Sequence, residues 1–470
     1  MAAFVLENQQ LALSTWHLAL NISFQCMIPL KMPGRKLKPA WFRQRTSKGQ
    51  MLTASSQSER VLSFEEARKI VEAAGSNLLH SQTFPRETVD LLSSAGRVLA
   101  EEVVSDRDLP PFHRATRDGF ALRTDDVAKA SEAAPASLRV IGEVKAGSPE
   151  YQGRLQAGEA LEIMTGAPAP GGDEHAVVMV EHTFRNGNRV LVQRRVQPGE
   201  NIVPAGSEAE KGGILLQPGH RMDFAAIALA ASVGKTRLEV YRRPRVAILS
   251  TGDEVVEINA RPEPHQIRNS NSYSLAAQVQ AAGAEPVQLP IAPDDLAPLG
   301  ELVGKGFESN LLLLSGGVSM GKHDLVEQAL AEFGAEFLFT GALIQPGRPV
   351  VFGLTASSEG GPKFFFGLPG NPVSTMVTFE LFARPMIDAL SGAPVRPLAL
   401  LRARLKAEIK AKTGLTRFLP ALLNGSEVEL VPWQGSGDIV AMAQANCYVV
   451  VPPDRASIPA WEMVQVLIRR

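Results

Sequence analysis

Three short segments carry the residue types from which an anion site is built. They are Ser250-Thr251-Gly252-Asp253-Glu254, Ser315-Gly316-Gly317-Val318-Ser319 followed by Lys322-His323-Asp324, and Gly367-Leu368-Pro369-Gly370-Asn371-Pro372-Val373-Ser374. Gly252, Gly316, Gly317 and Gly370 let backbone N–H groups approach a ligand with no Cβ in the way. Hydroxyls at Thr251, Ser315, Ser319 and Ser374 can donate to the same ligand oxygens. Where such a turn opens a helix, orphan N–H donors and the helix dipole add to the attraction for phosphate or another oxyanion. Asp253, Glu254 and Asp324 would repel an anion on their own. Carboxylates beside an anion cradle therefore point to a bridging hard cation, most simply Mg²⁺ held through few protein ligands and water.

The elements that must position these segments follow a βαβα pattern from Arg245. Strands are expected at 246–250, 286–289, 311–314, 350–353 and 364–367, with helices at 273–282, 299–307, 325–333 and 373–390. Strands that are apolar throughout, such as the four leucines from Leu311 to Leu314, indicate a mostly parallel sheet covered on both faces. All three segments then follow the carboxyl ends of strands, where ligands bind in open α/β sheets. Each segment alone could be a structural turn or a helix cap. Three at one sheet edge reinforce each other, because topology sets their position.

Upstream, residues 62–105 and 211–240 read as a helical linker domain. Its first helix starts at a capping box, Ser63 with Glu66, and its second carries Leu91, Leu92, Ala95, Val98 and Leu99. Between them, residues 106–210 show short apolar runs broken by Gly, Pro and Asn, including the hairpin signal Asn186-Gly187-Asn188, so an inserted β domain is expected. Residues 241–393 form the α/β domain, and 394–470 a C-terminal β domain.

Composition bounds the rest. Of 470 residues, 45% are hydrophobic and 21% charged, which excludes a disordered or collagen-like chain and suits several globular domains. Lys and Arg number 48 against 49 Asp and Glu, so no basic excess points to nucleic acid. Cys26 and Cys447 are too few for a disulfide framework or a cysteine zinc site. The apolar stretch 11–30 holds Ser14, Thr15, His17, Asn21, Ser23 and Gln25, costly in hydrocarbon, and Glu7 precedes it where a signal peptide would be basic. Residues 1–50 are set aside as an extension, with Met51 a plausible alternative start, and a cytoplasmic location without stable membrane association is expected.

Taken together, the ordered motifs resemble the molybdopterin molybdenumtransferase family, bacterial enzymes related to the E domain of gephyrin. Besides the three segments, the resemblance rests on Pro110-Pro111-Phe112, Asp118-Gly119-Phe120-Ala121, Ile163-Met164-Thr165-Gly166-Ala167, Gly199-Glu200-Asn201, Gln345-Pro346-Gly347-Arg348-Pro349 and Gln434-Gly435-Ser436-Gly437. It implies a four-domain homodimer: a helical linker domain with an inserted β domain, a three-layer α/β domain and a C-terminal β-barrel. The active cleft would lie between the α/β domain of one subunit and the β insert of the other. The implied reaction inserts molybdate into adenylated molybdopterin with Mg²⁺, releasing AMP. Carried over by motif, Asp118, Thr165, Glu254, Asp324 and Ser436 would be catalytic, Ser436 through its hydroxyl. Asp253, Glu254 and Asp324 would hold the metal, and Asp294 or Asp295 lies near a further carboxylate position. Thr251, Gly252, Ser315, Gly316, Gly317, Ser319, Pro369, Gly370, Pro372 and Ser374 would bind the substrate.

Several positions depart from the family pattern. Glu208 stands where Asp is frequent, and Val203, Gly341, Gln345 and Pro420 stand where basic residues are. Arg348, Lys322 and Arg417 are the candidates to replace those cations. Two other functions remain open at this point. A molybdopterin adenylyltransferase would use the same α/β domain but not the inserted and C-terminal β domains. A non-catalytic scaffold would need a partner-binding linker. Contact with the adenylyltransferase is a further expected association.

Overall fold

The computed structural model describes residues 60–172, 174–317, 325–355 and 361–469. Ser319, Lys322 and Asp324 lie outside the described residues, as do residues 1–50 and Met51.

Helix α1 (Phe64–Ser81) begins as its sequence dictates: the Ser63 side chain accepts from Glu66 N–H and the Glu66 carboxylate accepts in return from Ser63 N–H. The expected second helix is not formed. Arg86–Asp90 is a strand paired antiparallel with Arg237–Tyr241, and only a short 3₁₀ turn, Leu91–Ser94, follows. Gly96, at φ +72°, turns the chain out of helical geometry, and Leu99 then bridges Val240. A long-range partner thus overrides the local apolar periodicity.

Residues 119–192 form a six-stranded sheet. Its strands are β1 (Gly119–Arg123), β2 (Ala136–Val144), β3 (Glu159–Ile163), β4 (His175–Met179), β5 (Thr183–Asn186) and β6 (Arg189–Val192), in the order β4-β1-β3-β2-β6-β5. Alternate residues bury opposite faces: Phe120 and Leu122 on one, Ala121 with Leu161 on the other. The chain then returns through α2 (Phe224–Ser232), capped by Asp223.

The α/β region contains β7 (Arg245–Ser250), α3 (Ser270–Ala281), β8 (Glu285–Gln288), α4 (Leu296–Gly306), β9 (Leu311–Ser315), α5 (Leu325–Glu332), β10 (Ala335–Phe339), β11 (Val351–Thr355) and β12 (Lys363–Leu368). The sheet order is β8-β7-β9-β12-β11-β10; the first four strands are parallel, and β11 pairs antiparallel with both β12 and β10. Val246, Ile248, Leu311 and Leu313 pack toward α3, while Ala247, Leu249, Leu312 and Leu314 pack toward α4 and α5. Both faces are covered, which is why these strands read as unbroken apolar runs.

The long helix expected over 373–390 is broken. α6 (Pro372–Thr378) and α7 (Arg384–Leu390) flank a π turn at Phe379–Ala383. Pro385 has no N–H to give the Leu381 carbonyl four residues back. The buried Arg68 guanidinium on α1 donates to that carbonyl instead, and Phe64 packs edge-on against Phe382 and Phe418.

At the C-terminus, β13 (Leu401–Leu405), β14 (Thr416–Asn424), β15 (Glu427–Leu430), β16 (Cys447–Val451) and β17 (Met463–Ile468) close a barrel in the order β14-β15-β13-β17-β16, with β16 pairing back to β14. No helix among the described residues is long and apolar enough to cross a membrane.

Candidate functional site

Because β7, β9 and β12 are adjacent and parallel, their carboxyl ends lie side by side, and a cleft of about 480 Å³ opens there. Of the residues expected from sequence, Thr251, Gly252, Glu254, Ser315, Gly316, Gly317, Pro369, Gly370 and Pro372 line it. The loops are stitched together by backbone: Thr251 N–H donates to Ser315 O at 3.0 Å, Gly252 N–H to Ala292 O at 3.2 Å, and Gly316 N–H to Leu368 O at 3.3 Å. Gly316 has φ +94°, and a Cβ there would stand 2.7 Å from the Thr251 carbonyl oxygen. Only glycine fits that turn, which brings two loops within contact of each other.

Among the lining residues that the sequence did not single out, or only approached, are Arg268, Asn269, Asn271 and Asp294. Asn269 caps α3, its Oδ1 accepting Ser272 N–H at 3.1 Å and Ser250 Oγ–H at 3.0 Å. Asn271, in the first turn of α3, donates from Nδ2 to Ser315 Oγ at 2.9 Å and to Gly370 O at 2.7 Å. The one sequence signal for this group is the polar run Arg268-Asn269-Ser270-Asn271 before a helix, which also reads as an ordinary cap. Arg268 is exposed at the cleft; neither Arg348 nor Arg417 lines it. Arg417 is buried, its Nη1 donating to Leu415 O at 3.1 Å.

The carboxylates divide. Glu254 and Asp294 line the cleft, whereas Asp253 accepts from Asp294 N–H at 3.1 Å and lies outside the lining. Among the described residues, no three His, Cys, Asp or Glu side chains gather as a metal cage. Two carboxylates are the small number that Mg²⁺ takes from a protein, since it completes its shell with phosphate oxygens and water, and Glu254 and Asp294 fit that requirement.

Ser436 reaches this edge from the C-terminal region. Its Oγ accepts from Asn371 Nδ2 at 2.9 Å, and its carbonyl accepts from Val373 N–H at 2.9 Å. The loop that presents it is folded around Asp438, which accepts from Gln434 N–H at 2.9 Å and Ala441 N–H at 3.0 Å; the Ala441 bond, then the Gln434 bond, holds the Asp438 carboxyl below its ordinary range. Ser374 is buried in the first turn of α6, outside the lining.

Asp118 and Thr165 are not part of the cleft lining in the same chain. They are exposed and bonded to each other, Thr165 N–H donating to Asp118 Oδ1 at 2.6 Å. That N–H, followed by the Thr165 hydroxyl, lowers the Asp118 carboxyl pKa below its ordinary value. Glu208 pairs with Arg114 at 3.0 Å.

Comparison with known proteins points to one family over most of the chain. Residues 62–234 match the MoeA N-terminal region (domain I and II), residues 247–389 the probable molybdopterin binding domain, and residues 402–468 the MoeA C-terminal region (domain IV). The chain is 36% identical over 400 residues to a molybdopterin molybdenumtransferase of Nostoc sp., covering 81% of this chain and 88% of that protein. It is 34% identical over 395 residues to the Bacillus subtilis protein of the same name, covering 82% and 90%. A solved molybdopterin biosynthesis moeA protein from Pyrococcus horikoshii OT3 superposes with a TM-score of 0.70 at 28% identity, over 87% of this chain and 100% of that one. On this evidence the chain belongs to the molybdopterin molybdenumtransferase family.

Proposed function

We propose that this chain inserts molybdenum, taken as molybdate, into adenylated molybdopterin with release of AMP, in molybdenum cofactor biosynthesis. The observation that carries the reading is the cleft itself. Glycine N–H groups, a capped helix N-terminus, two carboxylates and an arginine meet at the carboxyl edge of four parallel strands. The chain also matches relatives named for this transfer over most of its length.

The roles follow from chemistry. The Gly317 N–H, on the turn after β9, receives the phosphate oxygens. Glu254 and Asp294, joined by Asp324 as the resemblance implies, would hold Mg²⁺, which when bound neutralises phosphate charge beside them. Arg268 adds a fixed positive charge at the rim for a tetrahedral oxyanion. Pro369, Gly370 and Pro372 shape the wall. The Ser436 oxygen already accepts from Asn371, so its O–H is left to donate toward the oxyanion.

The working unit is a homodimer in which the insert of one subunit brings Asp118 and Thr165 to the cleft of the other. An unpartnered apolar face supports this: Phe224 on α2 is 88% exposed and Leu92 beside it 80%. Within each chain we divide the protein into a linker domain (62–105 and 211–240), a β insert (106–210), an α/β domain (241–393) and a β-barrel domain (394–470).

Supplying adenylated molybdopterin, molybdate and Mg²⁺ yields AMP and active cofactor, while supplying ATP with molybdopterin yields no adenylate; the reverse pattern overturns the reading. Mixing inactive Glu254→Gln and Asp118→Asn proteins restores activity, because a mixed dimer contains one intact cleft. Absence of restoration, with exchange of subunits verified, removes the shared-site arrangement.

A further inference from the structure

Asn271 uses one end of its amide and leaves the other unmet. Nδ2 donates to the Gly370 carbonyl and to Ser315 Oγ. A carbonyl oxygen only accepts, so the nitrogen must face Gly370 and the amide cannot be turned round. Oδ1 is thereby fixed on the opposite side, buried and without a donor among the described residues. It is not needed as a helix cap, since Asn269 fills that role. A second orphan lines the same cleft: Thr251 Oγ1 is buried and also unpartnered among the described residues. Folded proteins leave few buried polar atoms unmet, because each costs the desolvation of that group. Two at the edge of one cleft mark where a ligand supplies the missing partners.

We propose that Asn271 is a specificity-determining residue whose Oδ1 accepts an N–H from the pterin ring of the substrate and so decides which end of that substrate lies against α3. The inference rests on the molybdopterin reading given above. The donors of such a substrate lie on its two heterocyclic ends. The pterin carries an amino group with a ring N–H beside it. The adenine of the AMP half carries an amino group with no ring N–H beside it, and the dithiolene and the ionised phosphates only accept. An acceptor placed against Oδ1 would oppose two lone pairs and leave both unmet. The pterin edge faces Asn271, and the phosphate turns toward Gly316, Gly317 and the Glu254 side of the cleft. Thr251 O–H, free to rotate, takes the neighbouring ring nitrogen or carbonyl.

The test uses the full-length protein with two variants. Asn271→Leu keeps the side-chain size and removes both donor and acceptor. Asn271→Asp keeps an acceptor and loses the bonds to Gly370 and Ser315. Free pterin, followed by its own fluorescence, binds about tenfold more weakly to Asn271→Leu, the loss expected for one hydrogen bond with its donor left unpaired. Asn271→Asp stays within about threefold of the wild type, because the accepting oxygen remains. In turnover, Asn271→Leu raises KM for the adenylated molybdopterin about tenfold and leaves KM for molybdate within about twofold. Equal loss of pterin binding in both variants overturns the proposal and reduces Asn271 to a scaffold, as does a wild-type protein with no measurable affinity for pterin, or an Asn271→Leu protein that loses AMP binding and keeps pterin binding. Pterin binding that depends on Asn271 in a protein unable to insert molybdenum leaves the proposal standing and ends the functional reading. Molybdenum insertion with an unmoved KM in Asn271→Leu does the opposite.

Discussion

Replacing Gly316 by alanine perturbs the cleft at its least forgiving point. The residue sits at φ +94°, and the added Cβ would stand 2.7 Å from the Thr251 carbonyl oxygen. That carbonyl cannot retreat: Thr251 N–H is tied to Ser315 O on one side of the peptide and Gly252 N–H to Ala292 O on the other. A non-glycine residue in left-handed geometry costs roughly 1–2 kcal/mol, and the steric overlap adds roughly 1–3 kcal/mol. The loop end is free to shift without unfolding the sheet, so the penalty falls on the loop's native position. A penalty of about 2 kcal/mol lowers the population of that position about thirtyfold, and the apparent affinity for substrate falls by the same factor. Gly370→Ala is the internal control. Its Cβ would meet only Gly316 Cα, at 3.5 Å, an ordinary contact. Titrating substrate into both variants, with calorimetric melting alongside, separates the outcomes. Gly316→Ala shows a Kd or KM raised by about thirtyfold with a small change in Tm, and Gly370→Ala stays within about threefold. A Gly316→Ala protein with wild-type affinity, or equal losses in the two variants, refutes the claim that contact between the Thr251 and Gly316 turns holds the cleft in shape.

Arg68→Ala strips the donor from the Leu381 carbonyl that Pro385 cannot serve, and from Arg396 O, 3.3 Å from Nη2; the expected loss is about 2–4 kcal/mol in denaturant unfolding, shrinking when Pro385→Ala restores a backbone N–H. Strict additivity of those two substitutions would refute the link. The Asp118–Thr165 contact is pH-dependent in a defined sense: the folded carboxyl lies below its ordinary value of 3.8, so the contact stabilises the turn above that value and is lost as pH falls through the lower folded one. The Thr165 amide resonance shifts over that acid window and not above it. Phe224→Asp places a charge on the exposed face of α2; light scattering shows monomers, and transfer activity falls with the dimer fraction.

How much of this was legible beforehand follows from how far apart interacting residues lie along the chain. The α/β sheet was readable because β7, β9 and β12 are buried on both faces, so their apolar runs carry no ambiguity of period. Once strand direction is known, topology alone puts the 251–254, 316–317 and 369–372 turns at one edge. What a turn residue bonds to is another matter. Asn271 reads as a polar residue in the first turn of a helix, and its neighbour Asn269 is indeed the cap. Its difference lies in Gly370, 99 positions away, and nothing local to Asn271 announces that partner. Ser436 was named from its motif, but its two bonds to the 371–373 turn come from a loop ordered by Asp438. The failed second helix has the same cause with opposite sign: Leu91, Val98 and Leu99 keep helical spacing, yet the strand Arg237–Tyr241 claims the neighbouring backbone. Residues that touch a ligand are limited to the few types with the right donors and charges, so their chemistry shows in the sequence. Residues that hold those groups in place are chosen by whichever distant backbone atom needs a partner. For this cleft the bonds that position Asn271, Asn371 and Ser436 therefore had to be found from the folded chain, and substitutions there should alter substrate affinity before they alter the fold.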